Sequence, residues 1–272
     1  MYALKRSNVL FEGANSKQSL LDIEIPSKWN GKVILFSHGF MGFKDWGAWH
    51  LVQSFFVKRG YGFVKYNCSH NGGTKDNPID FPDLESFSNN TYSKELRDND
   101  CIIKLVKALV NDQVKIFLIG HSRGGGIVLL QSQRSDINGI AAWAAISNIE
   151  RRFHNIEEWK NDGVRFQKNG RTKQELPMKI DIYEDFILNS ERLNIMKFCR
   201  DSLTPTIVIH GEEDTSVLPS ESVEISGWLN TKPIMIKGAQ HTFNSNHPWE
   251  SEQLPLALKQ VCEATLVFFN KL

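Results

Sequence analysis

Apolar positions along the chain follow two spacings that predict two kinds of element. Short, nearly continuous apolar runs are typical of strands buried on both faces of a parallel sheet. Such runs occur at Lys32–Ser37, Tyr61–Tyr66, Lys115–Gly120, Ile140–Ile146, Pro205–Gly211 and Pro233–Ile236. Longer stretches of mixed apolar and polar residues lie between or after these runs and predict helices. These stretches are Trp46–Lys58, Ser93–Val110, Ser122–Arg134, Pro219–Leu229 and Glu252–Leu272. The alternation predicts an α/β protein with a mostly parallel central sheet and helices on both faces.

Three segments depart from this alternation. Ala3–Leu10 and Gln18–Ile25 alternate loosely around a turn and predict an antiparallel hairpin. Asn71–Asn90 is rich in Asn, Asp, Pro, Gly and Ser, which predicts a long surface loop. Residues 147–202 are dense in charge and aromatic residues and contain a hairpin-turn sequence at Lys168–Arg171. We therefore expect one core domain, residues 1–146 and 203–272, with an insertion at 147–202.

Composition and charge exclude several classes of protein. Of 272 residues, 41% are hydrophobic and 23% charged, enough to bury a sizeable core. The formal net charge of +1 gives no electrostatic reason to expect nucleic acid or an anionic membrane as a partner. Neither a membrane-spanning apolar run nor a signal peptide is apparent, since Met1–Ser7 lacks an apolar core. The four cysteines are scattered, so we expect free thiols in a cytoplasmic protein and no metal site.

The stretch around Ser122 carries the clearest chemical pattern. Gly120-His121-Ser122-Arg123-Gly124 fits G-x-S-x-G, with a predicted strand before it and a predicted helix after it. In such an elbow, a tight turn projects the serine hydroxyl above the sheet, and small residues on both sides prevent clashes between strand and helix. The pattern predicts a nucleophile at Ser122, although a glycine-rich turn that only connects a strand to a helix could have a similar sequence.

Two backbone amides are candidates for an oxyanion hole. Ser37-His38-Gly39-Phe40 follows a predicted central strand, and functional groups collect at the carboxyl ends of parallel strands. The Phe40 amide could face the nucleophile there, and the Arg123 amide directly after Ser122 would be the second donor. The alternative interpretation is an ordinary His-Gly turn.

Two later strands are followed by candidates for the acid and the base. Asp214 follows one strand and precedes the turn into the next helix, which favours it over Glu212 and Glu213 as the carboxylate that orients an imidazole. His241 follows the last strand and is the candidate general base for Ser122. His247 is the competing histidine, but it lies farther from the strand.

The order Ser122, Asp214, His241, together with His38-Gly39-Phe40, resembles that of the α/β-hydrolase superfamily over nearly the whole chain. Within it, Gly120–Gly125 and Asn67–Gly72 look like those of bacterial dienelactone-hydrolase-like and cinnamoyl (feruloyl) esterase-like proteins. Dienelactone hydrolase itself has a cysteine nucleophile, where this chain has Ser122. The resemblance implies acyl transfer on small-molecule esters without a cofactor, with residues 147–202 as a lid.

The substrate is less well defined by the sequence. Candidates for the substrate pocket are Gly39, Trp143, Phe166 and Tyr183. The aromatic members of this set could equally serve to pack the insertion onto the body. The Arg123 side chain could bind a substrate carboxylate, but a surface ion pair is the favoured interpretation.

Three other functions are compatible with the same pattern. A serine peptidase would need acidic residues to bind a substrate amino group, and the insertion contains Glu157-Glu158 and Glu184-Asp185. A cofactor-free haloperoxidase or an acyltransferase could use the same triad, and a non-enzymatic binding protein could keep only the fold. A monomer and a homodimer are both compatible with the sequence.

Overall fold

The computed structural model describes residues 3–272, and its centre is an eight-stranded sheet. The strands of this sheet are β1 (Leu4–Glu12), β2 (Gln18–Ile25), β3 (Lys32–Ser37), β4 (Gly62–Tyr66), β5 (Lys115–His121), β6 (Gly139–Trp143), β9 (Thr206–Gly211) and β10 (Ile234–Ile236). Their order in the sheet is β1-β2-β4-β3-β5-β6-β9-β10, antiparallel at β1, β2 and β4 and parallel from β4 onward. The predicted fold class, with its antiparallel N-terminal hairpin, is confirmed.

Helices cover both faces of the sheet because its central strands are apolar on both faces. In β5, Ile116 and Leu118 pack into one core, while Phe117 and Ile119 pack into the other. The helices of the body are α1 (Trp49–Val57), α2 (Leu84–Ser88), α3 (Tyr92–Leu109), α4 (Arg123–Leu129), α8 (Pro219–Trp228) and α9 (Leu256–Asn270). α3, α4 and α8 contribute to the first core, and α1 and α9 contribute to the second. None of the helices within residues 3–272 is long and apolar enough to cross a membrane.

Residues 147–202 form a compact group of small elements that packs against the first core. They comprise α5 (Ile156–Asp162), β7 (Val164–Lys168), β8 (Glu175–Lys179), α6 (Asp181–Leu188) and α7 (Ile195–Arg200). β7 and β8 form a separate antiparallel hairpin whose turn contains the predicted sequence at 168–171. Trp159, Leu176 and Ile182 are buried in the core that also contains Leu118 and Val128 of the body.

Several predicted boundaries need correction. The segment Asn71–Asn90 is not a loose surface loop, because it contains α2 and buries Phe81 and Phe87, whose rings pack edge-on at 5.8 Å. Widely spaced aromatic residues anchor this segment despite its polar composition. The strand predicted at Ile140–Ile146 ends at Trp143, where the backbone turns at Ala144 with φ of 44°.

Candidate active site

Ser122 lies on a strained turn between β5 and α4. Its φ of 58° and ψ of −118° are unfavourable for a residue with a side chain, and strain of this kind costs about 1–3 kcal/mol. The flanking glycines make the turn possible. A Cβ on Gly120 would lie 2.2 Å from the Gly124 carbonyl oxygen, and one on Gly124 would lie 2.3 Å from the Ser37 carbonyl oxygen. The strand, the helix and the loop after β3 therefore meet at van der Waals contact around Ser122.

A continuous hydrogen-bond chain joins Ser122, His241 and Asp214. Ser122 Oγ lies 3.0 Å from His241 Nε2, and His241 Nδ1 lies 2.7 Å from Asp214 Oδ2. Because an ionised carboxylate only accepts, Nδ1 carries the imidazole proton and Nε2 is free to accept from the serine hydroxyl. The side chain of Asp214 is fully buried, whereas His241 remains partly accessible. Glu212 and Glu213 are exposed, and His247 accepts a hydrogen bond from the Gly47 amide instead.

Two further histidines, not predicted from the sequence, contact Asp214 and His241 and hold the hydrogen-bond chain in place. His210 at the end of β9 is fully buried, and its Nε2 donates to the Val217 carbonyl at 2.9 Å and lies 3.1 Å from Asp214 Oδ2. His121 Nε2 donates to the main-chain carbonyl of His241 at 2.9 Å. Burial lowers the pKa of His121 to about 3, so it is neutral at physiological pH. His121 directly precedes Ser122, and His210 lies in the same short stretch as Asp214. The sequence does not show what either side chain contacts, because these contacts form only in the folded protein.

The loop after β3 lies against Ser122. A Cβ on Gly39 would lie 2.9 Å from Ser122 Cβ. His38 fixes this loop: its Nε2 accepts from the Cys68 amide at 3.1 Å, so its protonated Nδ1 donates to the Gly39 carbonyl at 2.9 Å. The backbone N–H groups of Phe40 and Arg123 donate to no acceptor among residues 3–272. The loop and the first residue of α4 thus leave two donors unused beside Ser122.

A cavity of about 460 Å³ opens beside Ser122 and His241. One wall comes from the body through Phe40, and the other comes from the 147–202 segment through side chains such as Phe153 and Met178. Its remaining lining includes Tyr92, Arg123, Arg152, Arg165, Phe166 and Ile182. The volume is within the range of ordinary small-molecule sites.

Of the four predicted pocket residues, one borders the cavity and three do not. Phe166 on β7 borders the cavity, and its side chain is largely exposed. Gly39 lies against Ser122 without bordering the cavity, and Tyr183 packs edge-on to Phe153 at 5.3 Å outside it. Trp143 was wrongly predicted. It is fully buried on the opposite side of the sheet, where its Nε1 donates to Thr265 Oγ1 of α9 at 3.0 Å.

The Arg123 side chain does not form the expected surface ion pair but is buried beside Ser122. Its Nη1 donates to Glu95 Oε1 at 3.2 Å. The guanidinium lies 4.2 Å from the centre of the Phe40 ring and 4.7 Å from that of Tyr92. A guanidinium stacks well on aromatic faces. This packing fixes Phe40, whose amide is one of the two unused donors.

No protein-family model and no curated protein matches the sequence, but solved structures resemble the fold over its full length. Est1E from Butyrivibrio proteoclasticus, solved with ferulic acid bound, has a TM-score of 0.70 at 18% identity, covering 96% of this chain and 100% of its own. An esterase from Pyrococcus furiosus has a TM-score of 0.65 at 13% identity, covering 99% and 93%. The acylaminoacyl peptidase of Pyrococcus horikoshii has a TM-score of 0.65 at 16% identity, covering 99% of this chain and 42% of its own. The chain has the α/β-hydrolase fold.

Proposed function

We propose that this protein is a serine hydrolase that cleaves carboxylic esters with small or aromatic acyl groups. The observation that carries the proposal is the hydrogen-bond chain Ser122–His241–Asp214 at the edge of a small-molecule-sized cavity. A binding protein has no need for a strained serine aligned with an imidazole and a buried carboxylate.

The reaction would proceed by two acyl transfers. His241 Nε2 takes the proton from Ser122 Oγ as the oxygen attacks the ester carbonyl, and Asp214 stabilises the resulting imidazolium. The Phe40 and Arg123 amides donate to the oxyanion. His241 then gives its proton to the leaving alkoxide, which leaves an acyl-enzyme on Ser122. Water, deprotonated by His241, attacks that acyl group and restores the free serine.

The 147–202 segment would serve as the lid, and residues 1–146 and 203–272 as the catalytic body. Supporting this division, the segment supplies Phe153, Phe166, Met178 and Ile182 to the cavity, while the triad comes entirely from the body. Apolar and aromatic side chains on the lid suit an apolar acyl group, and the structural neighbour Est1E was solved with the aromatic acid ferulic acid bound.

Peptidase activity, the alternative on the same fold, has less support. A peptidase that binds a free amino terminus needs an acidic side chain in the site. Glu157, Glu158 and Glu184 are exposed, Asp185 accepts from the Ser93 amide, and none of them borders the cavity. We therefore expect hydrolysis of 4-nitrophenyl esters and no hydrolysis of aminoacyl-4-nitroanilides.

A panel of 4-nitrophenyl and methyl esters with varied acyl groups tests the proposal. Ser122→Ala should lower kcat by about 10⁶-fold. Asp214→Asn should lower kcat by about 10⁴-fold, because the imidazole of His241 loses the carboxylate that orients it. Glu213→Gln, one residue away and exposed, is the matched control and should keep wild-type kcat. Esterase activity that survives in Ser122→Ala would refute the proposal.

A further inference from the structure

Within the part of the chain that the structure describes, the side chains that border the cavity include cationic groups and no acidic ones. Three arginines border it, Arg123, Arg152 and Arg165, and none of its bordering residues within 3–272 is acidic. A cavity that receives only neutral esters has no use for this excess of guanidinium groups. An arginine adds net positive charge to the cavity only where no carboxylate of the protein pairs with it.

Two of the three arginines already have a carboxylate partner. Arg123 is paired with Glu95 of α3. Arg152 Nη2 is paired with Glu221 of α8, although its buried Nε has no hydrogen-bond partner among the described residues. The charges of these two side chains are therefore compensated within the protein.

Arg165 on β7 has no such partner. Within residues 3–272, no carboxylate lies within ion-pairing distance of its guanidinium, whose only hydrogen bonds are long ones of 3.4 Å to the carbonyls of Arg152 and His154. Burial lowers the pKa of Arg165, although an arginine stays protonated at neutral pH. A partly buried cation without a counter-charge is unfavourable unless a ligand supplies one.

A contact with the Trp159 ring orients the Arg165 side chain. Its guanidinium stacks 3.8 Å from the centre of the Trp159 ring, and Trp159 in turn donates to the Met178 carbonyl of β8. The planar fork of a guanidinium fits a carboxylate through two parallel hydrogen bonds. One uncompensated positive charge matches one negative charge.

We propose that the cavity binds esters that carry a carboxylate in addition to the scissile ester, and that Arg165 is the residue that binds it. This inference rests on the proposed hydrolase function and specifies its substrate class. Phe153, Met178 and Ile182 would contact the apolar chain between the two groups. Arg165 would thus set specificity without taking part in the acyl transfer.

Two matched substrate pairs test this assignment. In the first, the 4-nitrophenyl monoester of adipic acid is compared with the counterpart whose free carboxyl is a carboxamide, which places the charge on the acyl side. In the second, 4-carboxyphenyl butyrate is compared with 4-carbamoylphenyl butyrate, which places it on the alcohol side. For at least one pair, wild-type kcat/KM should favour the acid by about 10-fold to 100-fold.

Variants then separate charge recognition from folding. Arg165→Gln should remove this preference while the neutral ester keeps its kcat/KM within about two-fold, and Arg165→Lys should retain part of it. Arg151→Gln is the matched control, because Arg151 is another arginine of the 147–202 segment that pairs with Glu224 and does not border the cavity. Equal melting temperatures would show that each variant is folded.

The outcomes distinguish this inference from the proposed function. If neutral esters are hydrolysed through Ser122 but neither acid is preferred, or if Arg165→Gln lowers both members of a pair equally, the carboxylate site is refuted and the hydrolase proposal stands. If no ester is hydrolysed, the hydrolase proposal fails, and calorimetric binding of both acids and of their carboxamides to Ser122→Ala decides. Tighter binding of at least one acid that requires Arg165 supports the site, and equal affinities within both pairs refute it.

Discussion

Asp214 keeps its charge although its side chain has no contact with solvent. Oδ1 accepts from the amides of Ser216 and Val217 at 2.8 and 3.0 Å, while Oδ2 faces the imidazoles of His241 and His210. Burial alone would raise the pKa of Asp214, but the hydrogen bonds from His241 and the amides, together with the nearby His210 imidazole, outweigh it and hold the pKa well below its usual range. The carboxylate is therefore ionised at any pH at which His241 could act as a base.

His121 makes the stability of the protein depend on pH. Its pKa is about 6.5 in an unfolded chain and is lowered to about 3 by burial in the folded one, so the folded state favours the neutral ring. The stability this gives is fully present above pH 6.5 and is lost as pH falls toward 3, at up to about 1.4 kcal/mol per pH unit.

We expect His121→Gln to have a shallower pH dependence of stability than wild type. Glutamine can still donate to the His241 carbonyl but does not titrate. Urea unfolding between pH 4.5 and 7.5 measures this, and the buried His38 and His70, whose pKa values burial also lowers, are present in both proteins. His50→Gln, at an exposed position of α1, should keep the wild-type slope. Equal slopes for His121→Gln and wild type would contradict the assignment.

At the scale of elements, the strand–turn–helix unit β5–Ser122–α4 depends on how closely its backbone segments approach. The Gly124→Ala methyl would meet the Ser37 and His38 carbonyl oxygens at 2.3 and 2.5 Å, so backbone must move. We expect it to cost about 1–3 kcal/mol of unfolding free energy and to lower kcat by displacing Ser122 from His241.

A second helical glycine provides the matched control for that substitution. Gly227 in α8 has nothing within 4 Å of its Cβ position, so Gly227→Ala should stabilise the protein by about 0.5–1 kcal/mol and leave kcat unchanged. Urea unfolding and ester hydrolysis compare the two variants. Similar effects of both substitutions would show that the close approach at Gly124 is unimportant.

The elements that the sequence predicts well are those specified by neighbouring residues. The strand and the turn at Ser122 belong to one short stretch, so their pattern is local. Trp143 was assigned wrongly because a continuously apolar strand does not show which face a given residue occupies. Arg165 escaped prediction because its significance comes from having no acidic partner, and contacts across the fold determine that.

At the scale of the whole molecule, the 147–202 segment and the body share one hydrophobic core. Phe153, Trp159 and Leu176 of the segment are buried in the same cluster as Leu118 and Val128. Residues so connected lose their packing together, which favours cooperative unfolding. The division into lid and body would then be a division of roles at the active site and not of stability.

We therefore expect a single unfolding transition. In a urea titration followed by hydrogen exchange and mass spectrometry, peptides covering β7, β8 and β5 should lose protection at the same urea concentration. Loss of protection in β7 and β8 at a clearly lower concentration than in β5 would show that the segment folds as a separate unit.

We expect His241 and Asp214 to activate Ser122 as a nucleophile. A fluorophosphonate reacts covalently with such a serine, so the most direct measurement is the intact mass after labelling, followed by peptide mapping. The predicted result is one adduct per chain, on Ser122, in the wild type and none in Ser122→Ala. A folded wild-type protein that takes no label, or carries it on another residue, would show that Ser122 is not an activated nucleophile.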